Sequence, residues 1–567
     1  MDTTGRLGPQ DRIAAIETMT TTELDVLVIG GGITGVGCAV DAATRGLSVG
    51  LIEQRDLASG TSSRSSKLIH GGLRYLEQFD VHLVKEALRE RSLLLRELAP
   101  HLVHPVPFVY PLRHPVWERA YVGTGIMMYD LLAATGGNPL PWHRHLSKRR
   151  LLTEFPSLDP DAFIGGIEYW DAQTDDARYV TALARTAARF DAAIATSVKA
   201  VGLLRDGGAV VGVHAVDLED GRPLRISSRA VINATGVWTD DIEELAGDTQ
   251  KLVAASKGIH LVVPGDRIDA KVGLITKTEK SVLFVIPWDR HWLIGTTDTP
   301  WTLHRAHPAA SRTDIEYLLE HVNRLLAHPL TEDDIVGVYA GLRPLVAGNA
   351  EKTEKLSREH VVVSPAPGLF TIAGGKYTTY RVMAQDAIDV ATRDFGHVAP
   401  SVTDRVPVHG ADGYVALWNA RRRLAREHDL PVEQVERLLN RYGSDIEDLF
   451  AMVADGPELG QELPGGGGIL QVEIVYAASH EGALHLDDVL TRRTHISIEV
   501  PDRGIEAAKA CTELLAPILG WDEDAISREL AHYEARVAAE LESQTKPDDR
   551  TADAARMGAP DVRTGTP

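Results

Sequence analysis

A glycine-rich turn near the start of the chain has the spacing of a dinucleotide-binding site. Gly30, Gly32 and Gly35 form a G-x-G-x-x-G pattern, and an acidic residue, Glu53, follows downstream. Glycines at these positions allow a tight turn and let backbone N–H groups approach a pyrophosphate at a helix N-terminus, where the helix dipole favours negative charge. The carboxylate would accept hydrogen bonds from an adenosine ribose. The glycines alone do not distinguish NAD from FAD.

The predicted strands and helix around this turn support its interpretation as a dinucleotide-binding motif. Residues 24–29 (LDVLVI) predict a short buried strand, an Ala-rich run to about Arg45 predicts a helix, and residues 47–53 predict a second strand that ends at Glu53. Such a βαβ unit implies parallel strands. Downstream, VINATG at 231–236 places Ala-Thr-Gly at the end of another strand, in the manner of FAD-dependent oxidoreductases whose chain passes twice through the nucleotide fold. This second feature favours FAD.

The remaining pattern predicts a mixed α/β (α+β) architecture. A strand-like run at 369–373 and GGKYTTYR lead into a helix, so the chain returns late to its first sheet. We therefore predict a discontinuous Rossmann-like FAD-binding domain with an inserted mixed-sheet substrate domain, plus a helical C-terminal domain. The predicted boundaries are an N-terminal extension at 1–23, an oxidoreductase region at 24–400 with FAD-binding segments at about 24–110, 160–250 and 350–400, the helical domain at 405–545, and a disordered tail at 546–567.

Composition excludes several classes of protein. Asp and Glu outnumber Lys and Arg 80 to 59, a net charge of −21, which argues against nucleic acid as a partner. The two cysteines, Cys38 and Cys511, lie far apart in apolar contexts, and no His/Cys/Asp cluster has metal-ligand spacing, so we predict no disulfide, no metal and a reducing cytoplasmic location. The start of the chain lacks an apolar targeting region, and no apolar run reaches the ~20 residues of a spanning helix.

Seven motifs resemble the FAD-dependent glycerol-3-phosphate dehydrogenase family in order and spacing. They are GGGITGVG at 30–37, TSSRSSKLIHGGLRYLE at 61–77, KGIHLVVP at 257–264, FVIPW at 284–288, GTTD at 295–298, GLRPL at 341–345 and GGKYTTYR at 374–381. The resemblance covers about residues 24–390, and DVLTRRT at 488–494 resembles that family's helical C-terminal domain. Thr34 and Tyr377 depart from the residues usual in the family. The resemblance implies that sn-glycerol 3-phosphate is oxidised to dihydroxyacetone phosphate, with FAD as cofactor and a membrane quinone as electron acceptor.

Oxidising a secondary alcohol that bears a phosphate requires a base, cations for the phosphate and a positive group near flavin N1 and O2. His260 is the candidate base because imidazole titrates near neutral pH, and Arg343 is the alternative that shares this role by polarising the alkoxide. Lys376 opens a helix after two glycines and would stabilise an anionic reduced flavin. By resemblance, the substrate-binding residues are Arg74, Tyr75, Thr297, Arg343 and Arg358. The guanidinium groups of the three arginines suit bidentate binding of phosphate.

The serine-rich run at 61–72 offers consecutive hydroxyl and turn N–H groups that suit the FAD pyrophosphate and the flavin edge. Together with the glycine turn, VINATG and GGKYTTYR, it completes the predicted cofactor site. The predicted cofactor-binding residues are Gly30, Gly32, Thr34, Gly35, Glu53, Thr61, Ser62, Ser63, Lys67, Leu68, Ile69, His70, Gly71, Ala234, Thr235, Gly236, Gly375, Lys376, Tyr377 and Thr378.

A basic and aromatic stretch interrupts the acidic chain between Leu112 and Arg150. Six Lys or Arg residues stand there against two acids, interleaved with Trp117, Tyr121, Met127, Met128, Tyr129 and Trp142. It is either a contact with an anionic membrane surface or a solvated face beside an ordinary core helix, and the resemblance favours peripheral association with the inner face of the cell membrane.

The sequence leaves three further alternatives open. The acceptor is a quinone or, in an oxidase, dioxygen; a reading from another class is a flavin-binding regulatory or scaffold protein without turnover. The C-terminal domain packs against the catalytic domain or forms a dimer, and we predict a homodimer.

Overall fold

A computed structural model describes residues 5–72, 80–248, 250–279, 281–347, 359–559 and 561–563. The strands are β1 Leu24–Ile29, β2 Val49–Ile52, β3 Leu68–Ile69, β4 Val103–Leu112, β5 Arg144–Ser147, β6 Gly165–Thr174, β7 Ala193–Ala195, β8 Val198–Asp206, β9 Ala209–Asp217, β10 Pro223–Asn233, β11 Val253–Pro264, β12 Gly273–Lys277, β13 Val282–Trp288, β14 His291–Gly295, β15 Thr299–Trp301, β16 Gly337–Val346, β17 His360–Ala366 and β18 Leu369–Gly374. The α-helices are α1 Pro9–Thr21, α2 Ile33–Thr44, α3 Val81–Leu93, α4 Trp117–Thr135, α5 Lys148–Glu154, α6 Asp176–Arg189, α7 Thr239–Ala246, α8 Arg312–Asn323, α9 Tyr380–Ala391, α10 Tyr414–Glu427, α11 Val432–Tyr442, α12 Ile446–Asp455, α13 Gln471–His480, α14 Leu486–Asp488, α15 Ile496–Glu499, α16 Ile505–Leu519, α17 Glu523–Gln544 and α18 Asp549–Arg556.

The first sheet is built from three separate stretches of the chain. Its order is β17-β18-β10-β1-β2-β7, and β9 and β8 extend it from β10. The pairs β1–β2, β1–β10, β10–β18 and β2–β7 are parallel. Because β18 returns to the sheet long after β1, the predicted α/β fold with a discontinuous nucleotide sheet is confirmed.

Both faces of this sheet are covered, which explains the nearly continuous apolar sequence of its strands. On one face, Val28 of β1 and Val36 of α2 share a buried cluster with residues of α6 and α9. On the other face, Leu27 of β1 belongs to a cluster with Met19 of α1, which is fully buried. The N-terminal extension is therefore part of the core of this sheet.

The second sheet is mixed. Its order is β15-β11-β14-β13-β12-β4-β6-β3, with β16 paired to β11 and β5 to β6. Leu318 of α8 packs against Ile259 and Leu261 of β11 in a separate buried cluster. Strands β4 and β6 belong to this sheet, although the predicted FAD-binding segments at 24–110 and 160–250 included them. Pro105, Pro107 and Pro111 hide the strand pattern of β4 from sequence reasoning.

The C-terminal part is helical, from α10 to α18, as predicted. The prediction of a disordered tail at 546–567 was wrong for the residues that the structure describes there. Helix α18 carries Asp549, which pairs with Lys257, and Asp553, whose carboxylate lies 2.8 Å from Nδ1 of His304. Arg563 donates to both carboxylate oxygens of Asp488, at 2.8 and 2.9 Å. Ion pairs and a single buried apolar residue, Ala552, hold α18, so hydrophobic periodicity gave no clear signal.

Within the described ranges, none of the helices is both long enough and apolar enough to span a lipid bilayer.

Candidate active site

A cavity of about 630 Å³ lies between the two sheets. The carboxyl ends of β1, β2, β10 and β18 form one wall, and β11 and β16 of the second sheet form the other. Parallel α/β sheets bind nucleotides at the carboxyl ends of their strands, and this volume falls within the usual range for a ligand site. The predicted cofactor-binding residues that line it are Gly30, Gly32, Thr34, Glu53, Thr61, Ser62, Leu68, His70, Ala234, Thr235, Gly236, Gly375, Lys376, Tyr377 and Thr378.

The glycine turn forms a cradle between β1 and α2. Gly30 has a φ of +115°, and a Cβ at Gly35 would overlap the carbonyl oxygen of Gly30, so neither position tolerates a side chain. Helix α2 begins at Ile33, whose N–H donates to Ser62 Oγ at 3.0 Å. The helix N-terminus therefore faces the cavity with backbone donors, an arrangement that fits a pyrophosphate.

Glu53 lies at the end of the cavity nearest β2. Its carboxylate accepts hydrogen bonds from the N–H of Gly31 at 2.7 Å and of Arg55 at 2.8 Å. Burial raises the pKa of Glu53, and the two backbone donors partly offset this effect. The position fits the predicted contact with an adenosine ribose.

Six of the predicted residues do not line this cavity: Gly35, Ser63, Lys67, Ile69, Gly71 and Thr297. Lys67 is fully buried and pairs with Asp176, with its ammonium 4.9 Å from the centre of the Trp288 ring. The N–H of Gly71 donates to Tyr129 Oη at 2.7 Å. These two residues hold the 61–72 segment in place. Arg74, Tyr75 and Arg358, predicted to bind substrate, lie outside the described residues.

His260 lies on β11 with its ring enclosed by the cavity wall. Its Nε2 is 2.9 Å from Ser66 Oγ, and its ring stacks on Tyr339 with centroids 4.9 Å apart. Burial lowers the pKa of His260 to about 3, and the positive charges of Arg343 and Lys67 act in the same direction. The imidazole is therefore neutral near physiological pH, as a proton acceptor must be.

Arg343 projects from β16, which pairs with β11 in the second sheet. Its two terminal nitrogens each donate to the carbonyl oxygen of Thr297 at 3.2 Å, and one also donates to Thr296 Oγ1 at 3.0 Å. Asp298 lies 3.4 Å away as its ion-pair partner. The GTTD segment thus fixes the direction of the guanidinium group.

Two glycines make room for these side chains. A Cβ at Gly258 would overlap the Arg343 guanidinium, and a Cβ at Gly295 would overlap the His260 ring. Gly258 belongs to the motif KGIHLVVP and Gly295 to the motif GTTD. The packing explains why each motif has a glycine at that position.

Lys376 lies in a turn that is bound to the 61–72 segment. The turn starts at Gly374 and Gly375, both with positive φ, and Lys376 lines the cavity. The hydroxyl of Thr378 accepts from the N–H of His70 at 3.2 Å and donates to its carbonyl oxygen at 3.3 Å. The two segments that surround the predicted flavin edge therefore form one unit.

Sequence reasoning missed three residues that shape the site. Ser66 contacts His260, Asp176 accepts from both the N–H and the hydroxyl of Ser65, and Tyr339 donates to the Ser65 carbonyl oxygen at 3.0 Å. Ser66 lies inside a motif quoted above, so its hydroxyl was a usable signal. Asp176 and Tyr339 come from α6 and β16, and only the fold brings them to the loop.

The cavity wall combines a neutral buried imidazole, two cations, Arg343 and Lys376, and a glycine turn that fits a dinucleotide. A neutral base removes a hydroxyl proton, and fixed cations favour an anionic substrate and developing negative charge. This combination suits the oxidation of a negatively charged alcohol to a carbonyl compound.

Comparison with protein families agrees with this geometry. The FAD dependent oxidoreductase family matches residues 25–381, and the family described as the C-terminal domain of alpha-glycerophosphate oxidase matches residues 401–526. Together these matches span both sheets and most of the C-terminal helices.

Individual relatives match almost the full chain. Glycerol-3-phosphate dehydrogenase 2 of Mycobacterium tuberculosis is 53% identical over 559 residues, covering 98% of this chain and 95% of that protein. The mitochondrial glycerol-3-phosphate dehydrogenase of Rattus norvegicus is 37% identical over 540 residues, covering 91% of this chain and 73% of that protein. The crystal structure of the glycerol-3-phosphate dehydrogenase from Bacillus halodurans complexed with FAD has a TM-score of 0.78 and 28% identity, covering 94% of this chain and 98% of that chain. This chain therefore belongs to the FAD-dependent glycerol-3-phosphate dehydrogenase family.

Proposed function

We propose that this enzyme oxidises sn-glycerol 3-phosphate to dihydroxyacetone phosphate and passes the electrons to a membrane quinone. The observation that carries the proposal is the placement of His260 and Arg343 on the wall of the same cavity as the glycine turn and Lys376. When bound, FAD supplies the hydride acceptor for carbon 2 of the substrate.

We assign each step at the substrate to a residue of the chain. His260 accepts the proton of the C2 hydroxyl while carbon 2 loses its hydride. Arg343 binds the substrate through its guanidinium and polarises the developing alkoxide. Lys376 stabilises negative charge at the flavin end of the cavity. Arg74, Tyr75, Thr297 and Arg358 remain predicted substrate contacts, and Thr297 also acts through Arg343, to which it offers its carbonyl oxygen.

The choice between a quinone and dioxygen is tested by following both products in one assay. We expect the holoenzyme with sn-glycerol 3-phosphate to reduce a soluble ubiquinone or menaquinone analogue and to form dihydroxyacetone phosphate in equal amount. We expect little hydrogen peroxide in air without an added acceptor. Hydrogen peroxide formed in equal amount with dihydroxyacetone phosphate would overturn the quinone proposal and favour an oxidase.

Contact with the membrane surface is supported by helix α4 and the segment after it. Trp117, Tyr121 and Trp142 are 63%, 58% and 53% exposed, whereas Tyr129, which also lies on α4, is fully buried. Exposed aromatic side chains beside Lys and Arg are typical of helices that lie on an anionic bilayer. This favours the peripheral interpretation over the ordinary solvated face and is consistent with a cytoplasmic protein at the inner face of the cell membrane.

We expect the holoenzyme to sediment with vesicles that contain anionic phosphatidylglycerol more strongly than with phosphatidylcholine vesicles. Replacing Trp117 and Tyr121 with Ala should weaken this binding, whereas Val415→Ser, which alters an equally exposed apolar residue on α10, should not. Equal sedimentation of all three proteins would contradict the proposal. The predicted homodimer is tested by the mass of the holoenzyme in light scattering.

A further inference from the structure

A second, smaller cavity lies where the second sheet meets the C-terminal helices. It has a volume of about 50 Å³, and its walls come from β16, from the segment before α8, and from α15, α17 and α18. Arg64 lines both this cavity and the large one. The proposed oxidation assigns no step to this cavity, although Tyr339, which stacks on His260, belongs to its wall.

The side chains around this cavity carry an excess of positive charge. Arg64, Arg536 and Arg556 line it, and Glu540 is the one carboxylate among the described lining residues. Glu540 lies 3.7 Å from Arg536 and 3.6 Å from Arg556, at the outer limit of an ion pair. Arg536 has a closer partner in Asp487, at 2.8 Å. The charges of Arg64 and Arg556 are therefore only partly compensated.

The uncompensated charge affects the arginines themselves. Burial, followed by the nearby guanidinium groups, lowers the pKa of Arg64 to about 9. Burial and Arg536 lower the pKa of Arg556 to about 10, against the opposing effect of Glu540. Clustered buried cations destabilise a fold unless an anion neutralises them. The structure therefore has a reason to hold an anion here.

Polar groups that lack hydrogen bonds point to the same conclusion. Ser497 Oγ, Gln544 Nε2 and His307 Nδ1 belong to residues that line the cavity, are buried and have no hydrogen-bond partner within the described part of the chain. Buried polar groups in native proteins are rarely left unsatisfied. The hydroxyl of Ser497 and the amide N–H of Gln544 are available donors to a ligand.

The size of the cavity limits the ligand. One water molecule needs about 10–15 Å³ of such volume, so the cavity holds a few waters or one small polyatomic ion. Guanidinium groups bind tetrahedral oxyanions through paired N–H donors. We propose that this cavity is a binding site for a small tetrahedral oxyanion of the phosphate or sulfate class, held by Arg64, Arg536 and Arg556 with Ser497 and Gln544.

The bound oxyanion would join three parts of the molecule. Arg64 follows the 61–63 turn of the FAD-binding loop, whereas Arg536 and Arg556 belong to α17 and α18. Tyr339, which stacks on His260, also lines this cavity, so the site lies directly behind the base. We therefore expect the oxyanion to stabilise the contact between the C-terminal helices and the catalytic wall.

The test is thermal unfolding of the FAD-loaded enzyme in inorganic phosphate or sulfate, compared with chloride at equal ionic strength. For the wild type we expect a saturable rise in Tm of roughly 1–3 °C with either oxyanion. Arg556→Met should abolish the rise and, in chloride, should leave Tm equal to or above that of the wild type, because it removes one of the mutually repelling charges. Arg550→Met, at an exposed position of the same helix, should behave as the wild type.

Phosphate could also act at the substrate pocket, so the same titration is made on Arg343→Met. A Tm rise that persists in Arg343→Met and disappears in Arg556→Met supports the proposal. If Arg556→Met fails to fold, Ser497→Ala and Gln544→Met replace it, and each should raise the half-effective phosphate concentration roughly 5- to 10-fold. The proposal is overturned if the wild type shows no saturable rise, if chloride stabilises equally, if the rise depends on Arg343, or if the replacing variants respond as the wild type does.

Discussion

Ser66 and His260 face each other across the cavity wall, with Ser66 Oγ 2.9 Å from Nε2 of the imidazole. The two residues are far apart in sequence and meet because the 61–72 loop packs on the second sheet, where Thr61 donates to the carbonyl oxygen of Leu342 on β16. The ring is fixed further by Tyr339, which stacks on it at an interplanar angle of 11°. This contact orients the proposed base by engaging one of its two ring nitrogens, Nε2.

Removing the Ser66 hydroxyl should therefore weaken catalysis through His260. We expect Ser66→Ala to lower kcat about 10-fold while FAD content is unchanged, and to shift the acid side of the pH profile. Ser66→Thr, which keeps a hydroxyl, should recover most of the activity. An unchanged pH profile in Ser66→Ala would contradict a positioning role.

A side chain at Gly295 should displace the base. Because a Cβ there would overlap the His260 ring, we expect Gly295→Ala to lower kcat by a factor on the order of 10² without loss of bound FAD. Gly125→Ala is the matched control, since a Cβ at that position meets no atom within 4 Å. Steady-state kinetics and the flavin absorbance per chain distinguish the two effects. Full activity in Gly295→Ala would show that the ring position is unimportant.

Replacing Arg343 by Lys keeps the charge but loses the geometry. The guanidinium donates at once to Thr296 and Thr297, and an ammonium group cannot reproduce these directions together with a bidentate contact to substrate. We expect kcat/KM for sn-glycerol 3-phosphate to fall by a factor on the order of 10², with the Tm nearly unchanged. A Lys variant with wild-type kcat/KM would remove Arg343 from the proposed substrate site.

The low pKa of His260 predicts the direction of the pH dependence. Burial, with Arg343 and Lys67, keeps the imidazole neutral down to about pH 3, so it remains a base well below the 6.5 of an ordinary histidine. Activity should fall as acid protonates this group, and the acid limb of kcat should therefore lie below pH 6.5. The measurement is kcat at saturating substrate across the acid range. A limb at or above pH 6.5 that moves in His260→Asn would contradict this electrostatic environment.

The tail should contribute to the stability of the whole enzyme. Arg563 donates to Asp488 and to Ser197 Oγ, and all three residues are buried. We expect Arg563→Ala to lower the free energy of unfolding of the holoenzyme by roughly 2 kcal/mol. Arg405→Ala, which removes a 74% exposed side chain from a surface pair, should change it little. Equal stability of the two variants would contradict a structural role for the tail.

The fold class could be predicted from the sequence because the strand and helix patterns and the order of the motifs along the chain indicated the same architecture. Residues 24–29 form the predicted strand, and the return of the chain to the first sheet at β18 followed from the motif at 374–381. Strand β4 was not accessible, since its prolines resemble a loop. Pro105, Pro107 and Pro111 are separated by even numbers of residues, so the backbone positions that lack an N–H group all face the same edge of the strand. At that edge β12 pairs with β4 only at Phe108 and Val109.

The candidate site was accessible where its residues lie in one motif. Gly30, Glu53, His260, Arg343 and Lys376 were all predicted site residues, and all of them line the cavity between the two sheets. Lys67 was predicted to bind the cofactor, but in the structure it pairs with Asp176. Asp176 lies more than a hundred residues away, and the sequence gives no sign of that pairing. The order of residues 549–556 was likewise hidden, since ion pairs between distant segments leave no periodic pattern.

The central claim, that this chain binds FAD and uses it to oxidise sn-glycerol 3-phosphate, is tested most directly by anaerobic titration of the holoenzyme. We predict that sn-glycerol 3-phosphate bleaches the oxidised flavin absorbance and yields one dihydroxyacetone phosphate per flavin reduced, and that His260→Asn slows the bleaching while retaining FAD. Wild-type holoenzyme whose flavin spectrum is unchanged by saturating sn-glycerol 3-phosphate would contradict the claim and favour a flavin-binding protein without this turnover.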